Sequence, residues 1–375
     1  MRRFEVVDAR SLAAATSLLR KHGAAAHPLA GGGDLFSLIR NGAPNRRLAS
    51  RPRRPLILVS LASIPGIDRI RYRRGRGLTL GAMALVADIQ AHRAVRDRYR
   101  GIAQAAAEVG SPEVRRVATL GGNLCQRPRC SYFRERDMAC LKHGGDGCPA
   151  VDGDHRYYQA ILEGGPCHMV HPSDLAPALV AAGATAHLVG SQGARSIPLE
   201  RFFVTPAENV LQETVLAPGE LLAGVRVPDP APGTRGAYVK ARVDPSWDYA
   251  LASAAVTLVL REDFVRDARV VLGGVAPRPY RAPEAEDILR HAVINRGLVQ
   301  AAADAALEAA RPLRLNAYKV DLAKTVVRQA IAKAFGAPVP PAPGPVLQGG
   351  KLVCCHVPVG PVRCRGCPDP ARPGR

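Results

Sequence analysis

The chain holds nine cysteines, and their placement constrains its fold more than any other feature. Five lie between positions 125 and 167 and four between 354 and 367, with none in the first 124 residues or between 168 and 353. Thiols kept only for packing would be scattered. The opening, MRRFEVVDARSLAAATSLLRKHG, has apolar residues at helical spacing and no continuous apolar stretch, so it reads as a mature N-terminus rather than a signal peptide. Clustered cysteines in such a chain point to metal or cluster ligation rather than disulfides. Cys130, Cys140, Cys148 and Cys167 are separated by 9, 7 and 18 residues. Four thiolates suit a [4Fe–4S] cluster or a tetrahedral zinc, and reduced free thiols are the third reading. Cys125 is a spare fifth. Arg127, Arg129, Arg134, Arg136 and Lys142 stand near enough in sequence to offset thiolate charge. In the tail, Cys364-Arg365-Gly366-Cys367 has chelating spacing beside Cys354, Cys355 and His356, so either a zinc site or an adventitious tail is expected there.

The segment 125–171 interrupts otherwise periodic sequence. It is rich in Gly and charge, has little periodicity, and reads as an inserted loop stabilised by something other than an apolar core. Before it, residues 4–23 read as a strand and an amphipathic helix, with Leu12, Ala15, Leu18 and Leu19 on one face. A short helix is expected over 34–41, a Pro/Arg-rich loop over 43–55 and apolar strands over 56–61 and 78–83. Helices are expected over 88–93 and 100–109. After the insert, LAPALVAAGATAHLV reads as a helix leading into a strand, and Val227-Pro228-Asp229-Pro230-Ala231-Pro232 marks a boundary. Paired strands over 250–260 and 269–275 and helices over 296–311 and 316–335 follow. The divisions expected are 1–228 carrying the insert, 233–335, and a Pro/Gly-rich tail 336–375.

Two glycine-rich turns carry binding potential. Ala30-Gly31-Gly32-Gly33-Asp34-Leu35 lets backbone N–H groups converge on an anion ahead of a helix start, as a pyrophosphate would need. Asp34 reads as a cap rather than a phosphate contact, because two anions repel. Ala118-Thr119-Leu120-Gly121-Gly122-Asn123-Leu124 admits a flat ligand, with Thr119 and Asn123 as donors. Each alone is equally compatible with a plain turn. His168 and His171 flank the insert as polar loop residues, and no Ser-His-Asp or paired-carboxylate arrangement stands out.

The formal charge is +20, yet only seven of the 52 basic residues are Lys. Arg, Ala, Gly and Pro dominate throughout, so the charge reads as compositional bias without the aromatic interleaving of a nucleic-acid surface. No apolar run approaches the roughly 20 residues of a membrane span. A cytoplasmic location is expected, or a periplasmic one if a partner carries the folded complex across.

Taken in order, these motifs resemble the medium, FAD-binding subunit of the molybdenum hydroxylase (xanthine dehydrogenase) family over about residues 1–335. LAGGGDLFSLIRNG is similar to the family's AGGTDLL-type segment, and LTLGAMALVADIQAH to its next signature. The stretch from Val109 to Asn123 is similar to one ending in ATIGGN. HPSDLAPAL, LGGVAPRPYRA (272–282) and NAYKVDLAK (316–324) are similar to later signatures. The resemblance implies an α+β chain: a PCMH-type FAD-binding domain of two α/β subdomains, then a smaller α+β C-terminal domain. It implies that Leu29, Ala30, Gly31, Gly32, Gly33, Asp34, Leu35 and Phe36, together with Thr119, Leu120, Gly121, Gly122 and Asn123, hold FAD. Val109, Asp174 and Lys240 would line the same site. Gly33 departs from the family, which usually has Thr or another side chain there.

Ordinary flavin subunits lack the insert of about 40 residues. GNLCQRPRCSYF resembles the branch with a [4Fe–4S] loop, found in 4-hydroxybenzoyl-CoA reductase and some bacterial aldehyde oxidoreductases. That likeness implies Cys130, Cys140, Cys148 and Cys167 as ligands and Cys125 as a non-ligand. The implied partners are a molybdopterin-binding large subunit, a [2Fe–2S] small subunit and an external electron acceptor or donor (NAD, quinone, oxygen or ferredoxin). Electrons would leave through FAD, a cofactor that accepts one at a time and delivers two. In the reductase-like alternative they would arrive from ferredoxin. A zinc-dependent, nucleic-acid-binding protein uses the charge and both cysteine clusters but leaves the glycine turns unexplained.

Overall fold

The structure, a computed structural model, describes residues 3–41, 56–244, 247–336, 338–339, 346–348 and 351–353. The expected loop at 43–55 and the tail cysteines Cys354, Cys355, Cys364 and Cys367 lie outside these residues.

Strand β1 (Phe4–Asp8) leads to the helix Leu12–His22, then β2 (Ala26–Leu29), the helix Gly33–Asn41 and β3 (Leu56–Ser60). The three strands are parallel in the order β1-β3-β2. β3, LILVS, is buried at every position, as the centre of a parallel sheet requires. The first helix starts where Ser11 accepts the Ala14 N–H at 3.1 Å, carries Arg20, Lys21 and His22 in its last turn, and buries Ala15 and Leu19.

A five-stranded antiparallel sheet follows, from β4 (Ile70–Arg73), β5 (Gly77–Gly81), β6 (Thr185–Gly190), β7 (Gly193–Pro198) and β8 (Leu221–Val227), in the order β4-β5-β8-β6-β7. The helices Val86–Ala91, Arg93–Arg98, Arg100–Ala107 and Leu175–Ala181 pack with it around Leu78, Leu80, Ile89, Ile102, Leu179 and Phe202. All seven residues of Leu175–Ala181 are buried, so this helix is a core element.

The last sheet contains β9 (Thr234–Ala241), β10 (Ala252–Arg261), β11 (Phe264–Gly273) and β12 (Tyr280–Arg281), antiparallel in the order β12-β11-β10-β9. The expected pairing of 250–260 with 269–275 is present as β10 on β11. Helices Pro283–Leu289, Arg296–Ala305 and Tyr318–Phe335 complete its apolar core. The last two start later or end earlier than the periodicity suggests, because the link between them is used differently. Its Asn316 donates to the carbonyls of Gln159 and Ala160, both at 3.3 Å. Two short strands, β13 (Val346–Gln348) and β14 (Lys351–Val353), pair with each other. The mixture of helices and sheets agrees with the expected α+β class.

The cysteine-rich segment contains the short helices Ser131–Arg134 and Leu141–His143 and is otherwise irregular. Contrary to the sequence reading, it also uses apolar packing. Phe133 lies against Leu38, and Ile161 and Leu162 are fully buried in the C-terminal core. Its second half is stitched to that domain through the backbone. The Ile161 and Leu162 N–H groups donate to Val275 O at 2.9 and 3.0 Å, and Arg311 N–H donates to Ile161 O at 2.7 Å. Buried His155 bridges the same two parts. It accepts the Leu315 N–H on Nε2 at 2.7 Å, so its Nδ1 carries the proton shared with Ala150 O at 2.7 Å. The signatures at 272–282 and 316–324 are thus docking surfaces for the insert as well as parts of the C-terminal core.

Candidate cofactor site

The two glycine-rich turns, distant in sequence, meet backbone to backbone. A Cβ built on Gly31 would stand 2.0 Å from the Val117 carbonyl oxygen, and one on Gly122 would reach Ala30 Cβ at 4.0 Å. Gly32 adopts φ +75°, in the left-handed region, with the Phe36 ring 2.6 Å from where its Cβ would be. Gly33 faces open space: nothing lies within 4 Å of its Cβ position. The space a family threonine would fill is therefore vacant of side chain here. Among the described residues, the N–H groups of Gly31, Gly32 and Gly33 donate no hydrogen bond. Three unpaired backbone donors at the start of the Gly33–Asn41 helix form a ready anion cradle.

The second turn is occupied differently. It forms the short helix Leu120–Leu124, and Thr119 caps it by accepting the Gly122 N–H on its hydroxyl at 3.2 Å. The Leu120 and Gly121 N–H groups donate to Ala84 O and Ala82 O at 2.9 and 2.7 Å. Asn123 Oδ1 accepts the Ser173 hydroxyl at 2.5 Å. This turn therefore supplies a close backbone wall to the cradle, with its own donors mostly satisfied. Leu120 is a core residue, and Val109 is buried with its carbonyl accepting from Arg115 Nη1 at 3.0 Å. Leu29, Leu35 and Phe36 pack against Leu56, Leu58 and Phe4 beneath the parallel sheet.

Asp174 and Lys240 come together as a buried ion pair, Nζ to Oδ2 at 2.9 Å. The Tyr238 hydroxyl donates to the other oxygen at 2.7 Å, and Lys240 also donates to Glu108 O at 2.9 Å. Burial pushes the Asp174 carboxyl up from its ordinary value, while Lys240 and Tyr238 pull it back. Burial likewise raises the Tyr238 phenol, which stays protonated and donates. This trio ties β9 of the C-terminal sheet to the start of the Leu175–Ala181 helix. The sequence signals Asp174 and Lys240 but not Tyr238.

Cys130, Cys140 and Cys167 are buried and Cys148 is half-buried. The Cys148 and Cys167 thiols pair with each other, which lowers the first and, with burial, raises the second. Burial raises the Cys130 thiol, and the nearby Phe133 and Tyr132 N–H groups only partly offset this; the Met169 N–H does the same at Cys167. Gln159 Nε2 adds a contact to Cys130 Sγ at 3.5 Å. Cys140 accepts His143 and Gly145 N–H groups on its carbonyl at 2.8 and 2.9 Å. Cys125 is outside this network and packs on the main core, where burial pushes its thiol up to about 12. No group of three or more His, Cys, Asp or Glu side chains placed to share one metal ion occurs among the described residues.

The basic residues around these thiols serve other anions. Arg129 Nη1 and Arg134 Nη2 bind Asp34 Oδ1 at 2.9 and 2.7 Å, and the Arg127 N–H donates to Asp34 Oδ2 at 2.7 Å. The Arg127 side chain and Lys142 both bind buried Glu213 at 2.7 Å, and Arg136 is exposed. Arg127, Arg129, Arg134 and Lys142 are thus paired with carboxylates, and the Lys142 charge also favours the Cys167 thiolate. Asp34 therefore faces the insert.

His171 closes the floor beside Asn123. Its Nδ1 lies 3.4 Å from the Ser173 N–H, so Nε2 carries the proton, which it donates to Leu124 O at 3.2 Å. Burial lowers its pKa from 6.5 to about 4. Between pH 4 and 6.5 the unfolded chain thus binds more protons than the folded one. The stabilisation is complete above about pH 6.5 and is lost as pH falls toward 4, to the extent of about 3 kcal/mol. Urea unfolding should show that slope, and His171→Asn should flatten it; an unchanged slope in the variant would assign it elsewhere.

No described helix is long and apolar enough to cross a membrane. A family model described as the FAD binding domain in molybdopterin dehydrogenase matches residues 2–230, and one described as the CO dehydrogenase flavoprotein C-terminal domain matches residues 237–334. The aldehyde oxidoreductase FAD-binding subunit PaoB of Escherichia coli K12 is 35% identical over 271 residues, covering 72% of this chain and 82% of that protein. The carbon monoxide dehydrogenase medium chain of Hydrogenophaga pseudoflava is 29% identical over 337 residues, covering 89% and 97%. A solved structure of carbon monoxide dehydrogenase from the same organism matches 89% of this chain and 98% of its own, with a TM-score of 0.67 and 29% identity. Glycine turns joined backbone to backbone, an open anion cradle and two matched domain models agree: the chain belongs to the FAD-binding subunits of the molybdenum hydroxylase family, as an oxidoreductase subunit of xanthine dehydrogenase type.

Proposed function

We propose that this chain is the electron-transfer subunit of a molybdenum hydroxylase complex. FAD would lie at the junction of the two glycine turns and a [4Fe–4S] cluster on Cys130, Cys140, Cys148 and Cys167. The chain would pass electrons between the [2Fe–2S] clusters of a small partner subunit and an external acceptor. A molybdopterin-binding large subunit would carry the substrate chemistry. The observation that carries the flavin half is the contact of Gly31 with Val117, which sets three free N–H donors beside the Thr119–Asn123 wall. That arrangement fits a diphosphate on Gly31–Gly33. Asp174, Lys240 and Val109 would bound the site. Bound FAD supplies a carrier that takes electrons singly and releases them in pairs.

The cluster half rests on the donor set. Cys130, Cys140 and Cys167 are buried, Cys148 is half-buried, and Gln159 Nε2 donates to Cys130 Sγ at 3.5 Å, a contact of the kind that tunes cluster potential.

The complex purified anaerobically should contain one FAD and about four irons per copy of this chain, with an EPR signal from the reduced cluster beyond those of the partner. Folded complex lacking flavin in this subunit would defeat the first half. Zinc in place of iron would defeat the second.

A further inference from the structure

Asp34 occupies the first turn after the open cradle, yet its carboxylate is spent on the insert. It accepts from Arg134 Nη2 on Oδ1 and from the Arg127 N–H on Oδ2, both at 2.7 Å, and forms an ion pair with Arg129 Nη1 at 2.9 Å. Arg134 also closes its own turn by donating to Pro128 O and Arg127 O at 2.7 and 3.0 Å. Cys130 sits inside that turn, and its carbonyl accepts the Phe133 and Arg134 N–H groups at 3.1 and 3.0 Å. Arg129 is further fixed by Gln126 Oε1 at 2.9 Å and by the Tyr249 ring, 4.8 Å from its guanidinium carbon. One carboxylate therefore separates the cradle glycines from a cysteine of the sulfur network.

We infer that Asp34 is a positioning residue that couples the two cofactor sites, so that filling one raises the affinity or shifts the potential of the other. The inference rests on the flavin and cluster reading above. Residues 127–134 can grip Asp34 only when ordered, and a cluster on Cys130 orders them. A gripped Asp34 in turn fixes the helix start from which the Gly31–Gly33 donors project. Linkage makes the effect reciprocal: whatever factor the cluster contributes to FAD affinity, FAD must contribute to cluster binding. Two charge-assisted hydrogen bonds and an ion pair to one anion make the link strong and specific to the carboxylate.

The test uses the whole complex. FAD affinity is measured by flavin fluorescence in the native complex and in Cys130→Ser, and the cluster midpoint potential by EPR titration with and without FAD. In the native sequence, loss of the cluster should weaken FAD about tenfold, and FAD removal should shift the potential. In Asp34→Asn the affinity should be the same with and without the cluster, and the potential should not respond to FAD. Asp34→Glu, which keeps the charge, should restore both responses. A mere loss of folding would lower occupancy in both variants without this recovery. Native complex that binds both cofactors independently overturns the coupling while leaving the flavin and cluster reading intact. So does Asp34→Asn complex that keeps the full difference. Native complex without FAD or without iron removes the reading and the coupling with it.

Discussion

Alanine at Gly31 is expected to cost the protein its flavin. The added Cβ would stand 2.0 Å from Val117 O and 3.0 Å from Val117 C, far inside contact distance and against backbone that has no rotamer to yield. The two turns must separate, at about 3 kcal/mol or more by comparison with overpacked cores. If that strain is relieved by opening the cradle, FAD affinity falls by roughly a hundredfold or more. Gly33→Ala is the control, since its Cβ meets nothing within 4 Å and alanine suits a helix start. Retained FAD content and melting temperature in Gly33→Ala, with flavin lost from Gly31→Ala, are the results to look for. Native-strength flavin binding by Gly31→Ala would show that the contact between the turns does not shape the site.

Much of this was legible in the sequence, and the exceptions have physical causes. The buried strand LILVS, the helix at Leu12–His22 and the hairpin of β10 and β11 follow from local periodicity and caps, which act over a few residues. Glycine content marked both turns, but not that Gly31 would press on Val117, because such contact is set by tertiary packing. Arg129 and Arg134 read as neighbours of the thiols, and their shared target, Asp34, stayed hidden because a pairing between residues so distant in sequence leaves no local pattern. Lysine offers a signal of its own, of which the sequence reading uses Lys142 and Lys240 but not Lys319. Only seven are present, and Lys142, Lys240 and Lys319 are all buried and bonded to carbonyls or carboxylates. Where composition favours arginine, a remaining lysine marks a place that needs a compact ammonium with three donors rather than a planar fork.

Lys319 makes the strongest case, and its replacement by methionine should be among the most destabilising single changes in the C-terminal domain. The side chain is fully buried without a carboxylate. Its three donors go to Tyr157 O, Gln159 O and Gly274 O at 3.0, 3.0 and 2.8 Å. Burial pulls its pKa down to about 7, while three acceptors favour the ammonium over an amine with two hydrogens to give. Methionine has similar volume but takes the donor from Gly274 O and Tyr157 O and leaves Gln159 O only the Asn316 amide; an unpartnered buried carbonyl costs about 1–3 kcal/mol, so a loss of about 2 kcal/mol or more is expected in urea unfolding. Hydrogen exchange should quicken most over residues 155–162, where two of the three carbonyls lie. The consequence reaches the sulfur network, because Gln159, held by its carbonyl, donates through Nε2 to Cys130. On the proposed cluster reading, Lys319→Met should also lower the iron content, whereas substitution of a solvent-facing lysine should not. A variant within about 0.5 kcal/mol of native stability, the range of ordinary surface substitutions, would mean that water replaces the ammonium and that the apolar anchors Ile161 and Leu162, with the backbone bonds around them, hold the insert without Lys319.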